Sequence, residues 1–318
     1  MLFFAENRRR LWSTSCYFNL GKLMKTNPDL WPEDQDLRRK SLNVSFRDNE
    51  FLGYMIAPAE SAGPRPLVLV IHNYQGLKGF DVDVAEYLAR AGYVGIAIDM
   101  YGNDVPADER DFPADAGKIM PFQKRCFEAM VKLDHDHELL RGLLDCWIKT
   151  GLAEDWVDAT LAPSAIGYCF GGMVVLEGVR GGLNLAGVVS FHGLLQTGED
   201  PSASNFGAER AALKPCANDY NTRSVILIEN GAEDHLVTPD NRQRFFAEMD
   251  AANVDWSFHD HAKTPHGFAL PARLGPPGKL HEAADRRSTQ NMLSLFRELY
   301  PSVQQQAVSP NAAGTTIP

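Results

Sequence analysis

Gly167-Tyr168-Cys169-Phe170-Gly171 sets a thiol between two glycines, each two residues away, where an apolar run gives way to a helical pattern. Glycines at those spacings allow a sharp strand-to-helix turn with a nucleophile at its tip in a strained backbone conformation, sulfur here standing in place of a serine oxygen. With 26 Gly and 5 Cys in 318 residues, independent positions would give the pattern roughly 0.03 times, so chance is a poor account of it. The bland alternative is a buried cysteine packed as a small hydrophobe beside a glycine-rich crossing. Partners elsewhere in the chain must decide between the two.

A thiol at a helix N-terminus beside an imidazole is favoured as the thiolate, because the helix dipole and His⁺ both stabilise negative charge. Two more residues stand just past strand-like runs, in the order nucleophile, acid, histidine: Asp234 after 225–229 and His266 after 254–259. Active groups of open parallel sheets gather at the carboxyl ends of strands. Asp234 would hold one ring nitrogen of His266, fixing its tautomer and stabilising the imidazolium, while the other nitrogen faces the sulfur of Cys169. Taken singly, Asp234 could be a turn former or helix cap and His266 a solvated loop residue; their joint placement carries the reading. The backbone N–H groups of Phe170 and of Tyr74, in the loop after Leu67-Val68-Leu69-Val70-Ile71, would face a developing oxyanion.

Positioning these residues requires a sheet. Residues 42–46 alternate apolar and polar, and 51–57 follow after Arg47-Asp48-Asn49-Glu50, which predicts an antiparallel hairpin at a sheet edge. The run 67–71 is uniformly apolar and β-rich, as expected for a strand covered on both faces. A helix over 82–91 stopped by Gly92, then a strand over 93–98, make a strand-helix-strand step and hence a parallel sheet. Residues 101–121, with three prolines, read as a long insertion over one end of the sheet. One helix is predicted over 122–149, with His135-Asp136-His137-Glu138 as a solvated charged stretch inside it; 135 and 137 would point to different faces, which argues against a metal pair.

After the cysteine come a helix to 179, a strand over 185–191 ending in His192-Gly193, a polar stretch over 197–223, the strand 225–229, a helix over 239–251, a strand over 254–259 with edge-like alternation, and a last helix over 281–300. The economical division is an N-terminal extension of residues 1–40, one doubly wound domain over 41–301, and a disordered tail over 302–318.

The 41 acidic against 31 basic residues argue against a nucleic-acid surface, Arg8-Arg9-Arg10 being the sole basic cluster. Five cysteines at 16, 126, 146, 169 and 216 lack disulfide or metal-finger spacing and suit a reducing, cytoplasmic setting. No apolar run is long enough for a membrane span. Metal is not expected.

With Gly167-Tyr168-Cys169-Phe170-Gly171-Gly172, Gly231-Ala232-Glu233-Asp234, His266-Gly267-Phe268, the loop 72–77 and Asp99-Met100-Tyr101-Gly102 in view, the chain resembles the dienelactone hydrolases, cysteine-dependent α/β-hydrolases, over about residues 40–300. The resemblance implies an α/β-hydrolase fold, a doubly wound, mostly parallel sheet with an antiparallel N-terminal edge hairpin. It also implies hydrolysis of an ester or lactone through an acyl-cysteine without a cofactor; a small-molecule substrate and a monomer or homodimer are expected. Family members commonly carry a glutamate that interacts with the resting thiol, where this chain has Asn73. Better-known members clasp a substrate carboxylate with two arginines, at places that here are Asn103 and Leu270. Without those cations a dicarboxylate lactone would lose charge-assisted contacts of ~1.5–3 kcal/mol each. A more neutral ester or lactone is therefore expected, in a pocket near Asn73, Tyr74, Tyr101, Phe170, His192 and Phe268. The competing expectations are a non-catalytic member that keeps the pocket for binding, and a metal held by His259, His261 and His266.

Overall fold

Leu67–Ile71 lies at the heart of an eight-stranded sheet in the computed structural model, which describes residues 37–59, 61, 63–106, 113, 115–197, 214, 216–271 and 278–303. In chain order the elements are β1 (Leu37–Phe46), β2 (Asn49–Pro58), β3 (Leu67–Ile71), α1 (Gly79–Arg90), β4 (Val94–Ile98), α2 (Ala116–Asp134), α3 (His137–Leu152), β5 (Ser164–Tyr168), α4 (Phe170–Arg180), β6 (Gly187–Phe191), β7 (Val225–Gly231), α5 (Pro239–Ala251), β8 (Asp255–His261) and α6 (Glu282–Leu299). The strand order is β1-β2-β4-β3-β5-β6-β7-β8. β1 and β2 form an antiparallel hairpin, β2 runs antiparallel to β4, and the rest pair in parallel. The expected α/β-hydrolase architecture with its edge hairpin is therefore present.

The period-2 geometry of strands sends successive side chains to opposite faces. Leu67, Leu69 and Ile71 join a core with Leu144, Trp147, Met173 and Phe245, on the side of α2 to α5. Val68 and Val70 join a second core with Val84, Leu88, Leu293 and Phe296 of α1 and α6. An uninterrupted apolar run is what a strand covered on both faces requires. The carboxyl ends of β3 to β8 consequently share one rim of the sheet, where the loops converge.

The single helix expected over 122–149 is two helices. Asp136 starts α3 by accepting a hydrogen bond from the Leu139 N–H, and α2 closes at His135, whose N–H returns to the Val131 carbonyl. An aspartate side chain that competes for backbone N–H groups begins a new helix wherever it can cap one. His135 and Asp136 are buried, with Asp136 paired to Lys214, whereas His137 is half-buried and Glu138 exposed, so only the end of this stretch is solvated. α2 also starts earlier than the pattern suggests, capped by Asp115 and carrying Pro121 within it. The extension over residues 1–40 and the tail over 302–318 lie almost wholly outside the described residues, with β1 beginning at Leu37. Among the described residues no helix is long and apolar enough to cross a membrane.

The far end of α4, the helix that follows Cys169, is tied down by charge. Buried Glu177 accepts from Arg141 Nη2 at 2.8 Å and from Arg180 Nη1 at 3.1 Å, and Arg180 reaches Glu248 of α5 at 2.7 Å. Arg141 also donates to the Ala217 carbonyl at 2.9 Å. Removing Glu177 would leave the buried Arg141 guanidinium without its carboxylate and Arg180 with Glu248 alone, so Glu177→Ala is expected to cost about 3–5 kcal/mol. Urea unfolding midpoints measure it, and the slope with denaturant should stay near the wild-type value.

Candidate active site

Cys169 is the single residue between β5 and α4, with φ 55° and ψ −111°. That left-handed conformation is costly for a residue with a Cβ and persists only where surroundings enforce it. They do so here. The Cys169 N–H donates to the Phe191 carbonyl at 3.0 Å, and its carbonyl accepts from Met173 N–H at 3.3 Å. A Cβ on Gly167 would lie 2.1 Å from the Gly171 carbonyl, and one on Gly171 2.3 Å from the Ile71 carbonyl. Only glycine lets β5 and α4 cross so closely, and the crossing lifts the thiol to the rim. The flanking glycines thus act through backbone approach, in keeping with the expected elbow.

His266 follows β8 and Asp234 follows β7. Their loops are locked together, Glu233 N–H donating to the Thr264 carbonyl at 2.9 Å and Ala232 N–H to the His261 carbonyl at 2.9 Å. His266 Nδ1 donates to Asp234 Oδ2 at 2.7 Å, and His266 Nε2 lies 3.2 Å from Cys169 Sγ. Asp234 is in turn oriented by the Leu236 N–H, which donates to Oδ1 at 2.9 Å. All three side chains are buried. Burial alone would lower the His266 pKa, but the negative charge available at Cys169 and the bond to Asp234 outweigh it and raise the pKa to about 10.

A raised value means that the folded state holds this proton more tightly than the unfolded chain, whose histidine titrates near 6.5. The stabilisation is thus complete below pH about 6.5 and is lost as pH rises through about 10. The expected result is a denaturation midpoint that falls between pH 6.5 and 10. The fall should shrink in Cys169→Ala, because the largest raising influence has gone.

The other expected site residues fall in two layers. Phe170 is the first residue of α4, so its N–H has no intrahelical acceptor. Tyr74 sits in the loop after β3, its hydroxyl pKa pushed up to about 12 mainly by burial. Tyr101 lies behind it, donating its hydroxyl to the Tyr74 carbonyl at 2.9 Å and packing 5.5 Å from the Phe170 ring. Tyr101 therefore supports the loop. Asn73 Oδ1 accepts from Gln75 N–H at 2.9 Å, so it too shapes the turn. His192 and Phe268 form an aromatic wall against His266, with ring centres 5.1 Å apart for His192–His266 and 5.3 Å for His192–Phe268.

One organising residue escaped the sequence reading. His72 is buried at the end of β3, bonding the Asn73 carbonyl through Nδ1 at 2.7 Å and accepting the Met100 N–H at Nε2 at 3.1 Å. It ties the loop after β3 to the end of β4, and its ring stacks 5.8 Å from Phe170. The three histidines considered for a metal divide between two carboxylates. His259 and His261 bond Glu229 at 2.8 and 2.6 Å, while His266 belongs to Asp234. Among the described residues no group of His, Cys, Asp and Glu has metal-holding geometry.

Residues 51–300 match the dienelactone hydrolase family. The chain belongs to that family. It is 25% identical over 251 residues, 79% of this chain and 91% of the other, to the carboxymethylenebutenolidase of Pseudomonas sp. (strain P51). Over 50 residues, 16% of this chain and 43% of that protein's length, it is 42% identical to the hydrolase fragment YghX of Escherichia coli (strain K12). The crystal structure of the dienelactone hydrolase-like promiscuous phosphotriesterase P91 from metagenomic libraries superposes with a TM-score of 0.65 at 26% identity, covering 83% of this chain and 98% of that one. As a member of the dienelactone hydrolase family this protein is a hydrolase enzyme. The two places where the resemblance implies substrate-clasping arginines are Leu270 and Asn103. Leu270 is buried in the core on the α1 and α6 side, and Asn103, in the short turn after β4, has its N–H on Asn49 Oδ1 at 2.9 Å.

Proposed function

We propose that this protein hydrolyses a neutral or weakly charged ester, lactone or other activated acyl compound through an acyl-cysteine, without a cofactor. Cys169 is the nucleophile, His266 the acid and base, and Asp234 the residue that orients His266. The reading rests on one observation: His266 lies between Asp234 Oδ2 at 2.7 Å and Cys169 Sγ at 3.2 Å, at the rim where three strands end. An imidazolium there favours the thiolate, which attacks the acyl carbon. The N–H groups of Phe170 and Tyr74 take the developing oxyanion, where a single such donor is typically worth 10²- to 10³-fold in rate.

Sulfur narrows the substrates. Thiolate leaves more readily than alkoxide, so the tetrahedral intermediate of a plain alkyl ester returns to reactant unless His266 protonates the departing oxygen. Enol lactones, aryl esters and thioesters avoid that trap, and amides do not. The absence of a cation at Leu270 and Asn103 favours acyl groups without a carboxylate. A panel of aryl esters and lactones graded in chain length and charge tests this. Neutral substrates should exceed their carboxylate-bearing analogues in kcat/KM by about 10-fold or more, the cost of burying a carboxylate with no cation beside it, and a preference for the dicarboxylate would refute it.

A further inference from the structure

His192 is held in a state that costs stability and serves no structural bond. Its φ of 40° is left-handed, a region that residues with a Cβ seldom adopt. Its ring is fully buried, and beyond a poorly aligned contact with its own backbone neither Nδ1 nor Nε2 has a hydrogen-bond partner among the described residues. Its backbone N–H is accounted for, donating to the Glu229 carbonyl at 2.8 Å. Phenylalanine or leucine would fill the same apolar space without stranding two polar atoms. Around it lie His266 at 5.1 Å, Phe268 at 5.3 Å and Tyr168 at 6.0 Å between ring centres. An outlier of backbone and of polar satisfaction at one residue, against the proposed base, points to a partner supplied by the reaction.

The chemistry of that partner follows from the ring. Burial and the neighbouring His266 hold the His192 pKa well below the ordinary imidazole value, so the ring is neutral. A neutral imidazole offers one donor and one acceptor. It therefore suits a hydroxyl group or a water molecule, which offer the same pair, and not a carboxylate. Both appear beside His266 during acyl transfer. The leaving alcohol takes its proton from His266, and by microscopic reversibility the attacking water gives one up at the same place.

We propose that His192 is a catalytic residue that holds the leaving hydroxyl and then the hydrolytic water against His266, an inference that rests on the acyl-cysteine reading. In deacylation the water oxygen forms the new bond to the acyl carbon and His266 Nε2 takes the water proton. The carbon–sulfur bond then breaks with its electron pair returning to Sγ, which releases the carboxylic acid and regenerates thiolate and imidazolium.

The test uses 4-nitrophenyl acetate, whose leaving group departs without a proton, and compares wild type with His192→Phe and His192→Gln. Acid-quenched samples give the fraction of Cys169 carrying an acetyl group by mass, alongside the steady-state rate. In His192→Phe acetylation should proceed within about threefold of wild type. Turnover should fall roughly 10- to 100-fold, as expected for one lost polar contact, with acetylated Cys169 accumulating. His192→Gln should recover part of the loss. Acetylation and turnover falling in step would mean a packing role and overturn the proposal, as would unchanged turnover. Should His192→Phe not fold, His192→Asn, a residue that tolerates positive φ, carries the same comparison. Turnover that survives Cys169→Ala would remove the cysteine reading itself, whereas turnover lost there but indifferent to His192 overturns this proposal alone.

Discussion

Cys169→Ala should lower turnover of an activated aryl ester by about 10⁴-fold or more while the protein stays folded, since removing the nucleophile of a triad removes covalent catalysis as a whole. The fold has little reason to respond. Alanine keeps the same Cβ and the same backbone bonds to Phe191 and Met173, and the turn is enforced by Gly167 and Gly171. The expected loss of stability is about 1 kcal/mol, the centre of the range for point changes. Ester assays with circular dichroism and a thermal melt check both halves. The non-catalytic reading makes the opposite claim, that the background rate is the same with and without the sulfur. It further requires Cys169 to react with iodoacetamide no faster than an ordinary exposed thiol. A thiol 3.2 Å from an imidazole whose pKa is raised to about 10 should instead react quickly across neutral pH.

The candidate site was legible to the extent that it is made of residue types placed at strand ends. Cys169, Asp234 and His266 each follow a run whose period marks a strand, so the topology of a parallel sheet brings them to one rim without any contact being known. Interactions that depend on register were not legible in that way. Glu229 pairs with His259 across β7 and β8, and Gly231 with His261, which is what sets both imidazoles on one buried carboxylate. A shift of two residues would have separated them while leaving the apolar pattern intact. The bond from Met100 N–H to His72 likewise depends on the β3–β4 pairing.

The break between α2 and α3 was hidden for a different reason. The apolar spacing runs on with helical period through both helices, and one capping aspartate interrupts it. A local hydrogen bond of about 1 kcal/mol decides an event that periodicity does not register. Tyr101 shows the converse case. Its type and position suggested a pocket wall, yet its hydroxyl is spent on the Tyr74 carbonyl. Its contribution to a site therefore passes through the loop that carries the Tyr74 N–H.

Asp234→Asn is the second change expected to have a very large effect, and the direction follows from hydrogen-bond bookkeeping. Asp234 has two acceptor oxygens in use, Oδ1 for the Leu236 N–H and Oδ2 for His266 Nδ1. An asparagine has one oxygen and one NH₂ group. Placing the NH₂ against the Leu236 N–H would set two donors face to face in a buried site, so the oxygen stays with Leu236 and the NH₂ turns to His266. Nδ1 must then accept, the proton moves to Nε2, and His266 presents an N–H to the sulfur where it formerly could exchange a proton. The imidazolium also loses its counter-charge, so the His266 pKa should fall from about 10 and the alkaline loss of stability should begin at lower pH. A triad with the wrong tautomer typically loses about 10⁴-fold in kcat. Here about 10³- to 10⁴-fold is expected for hydrolysis with KM little changed, because the substrate-facing groups are untouched. Steady-state kinetics together with a histidine titration by NMR would measure both. A variant with near wild-type kcat and an unmoved imidazole would mean that Asp234 braces the loop between β7 and β8 without governing the proton on His266.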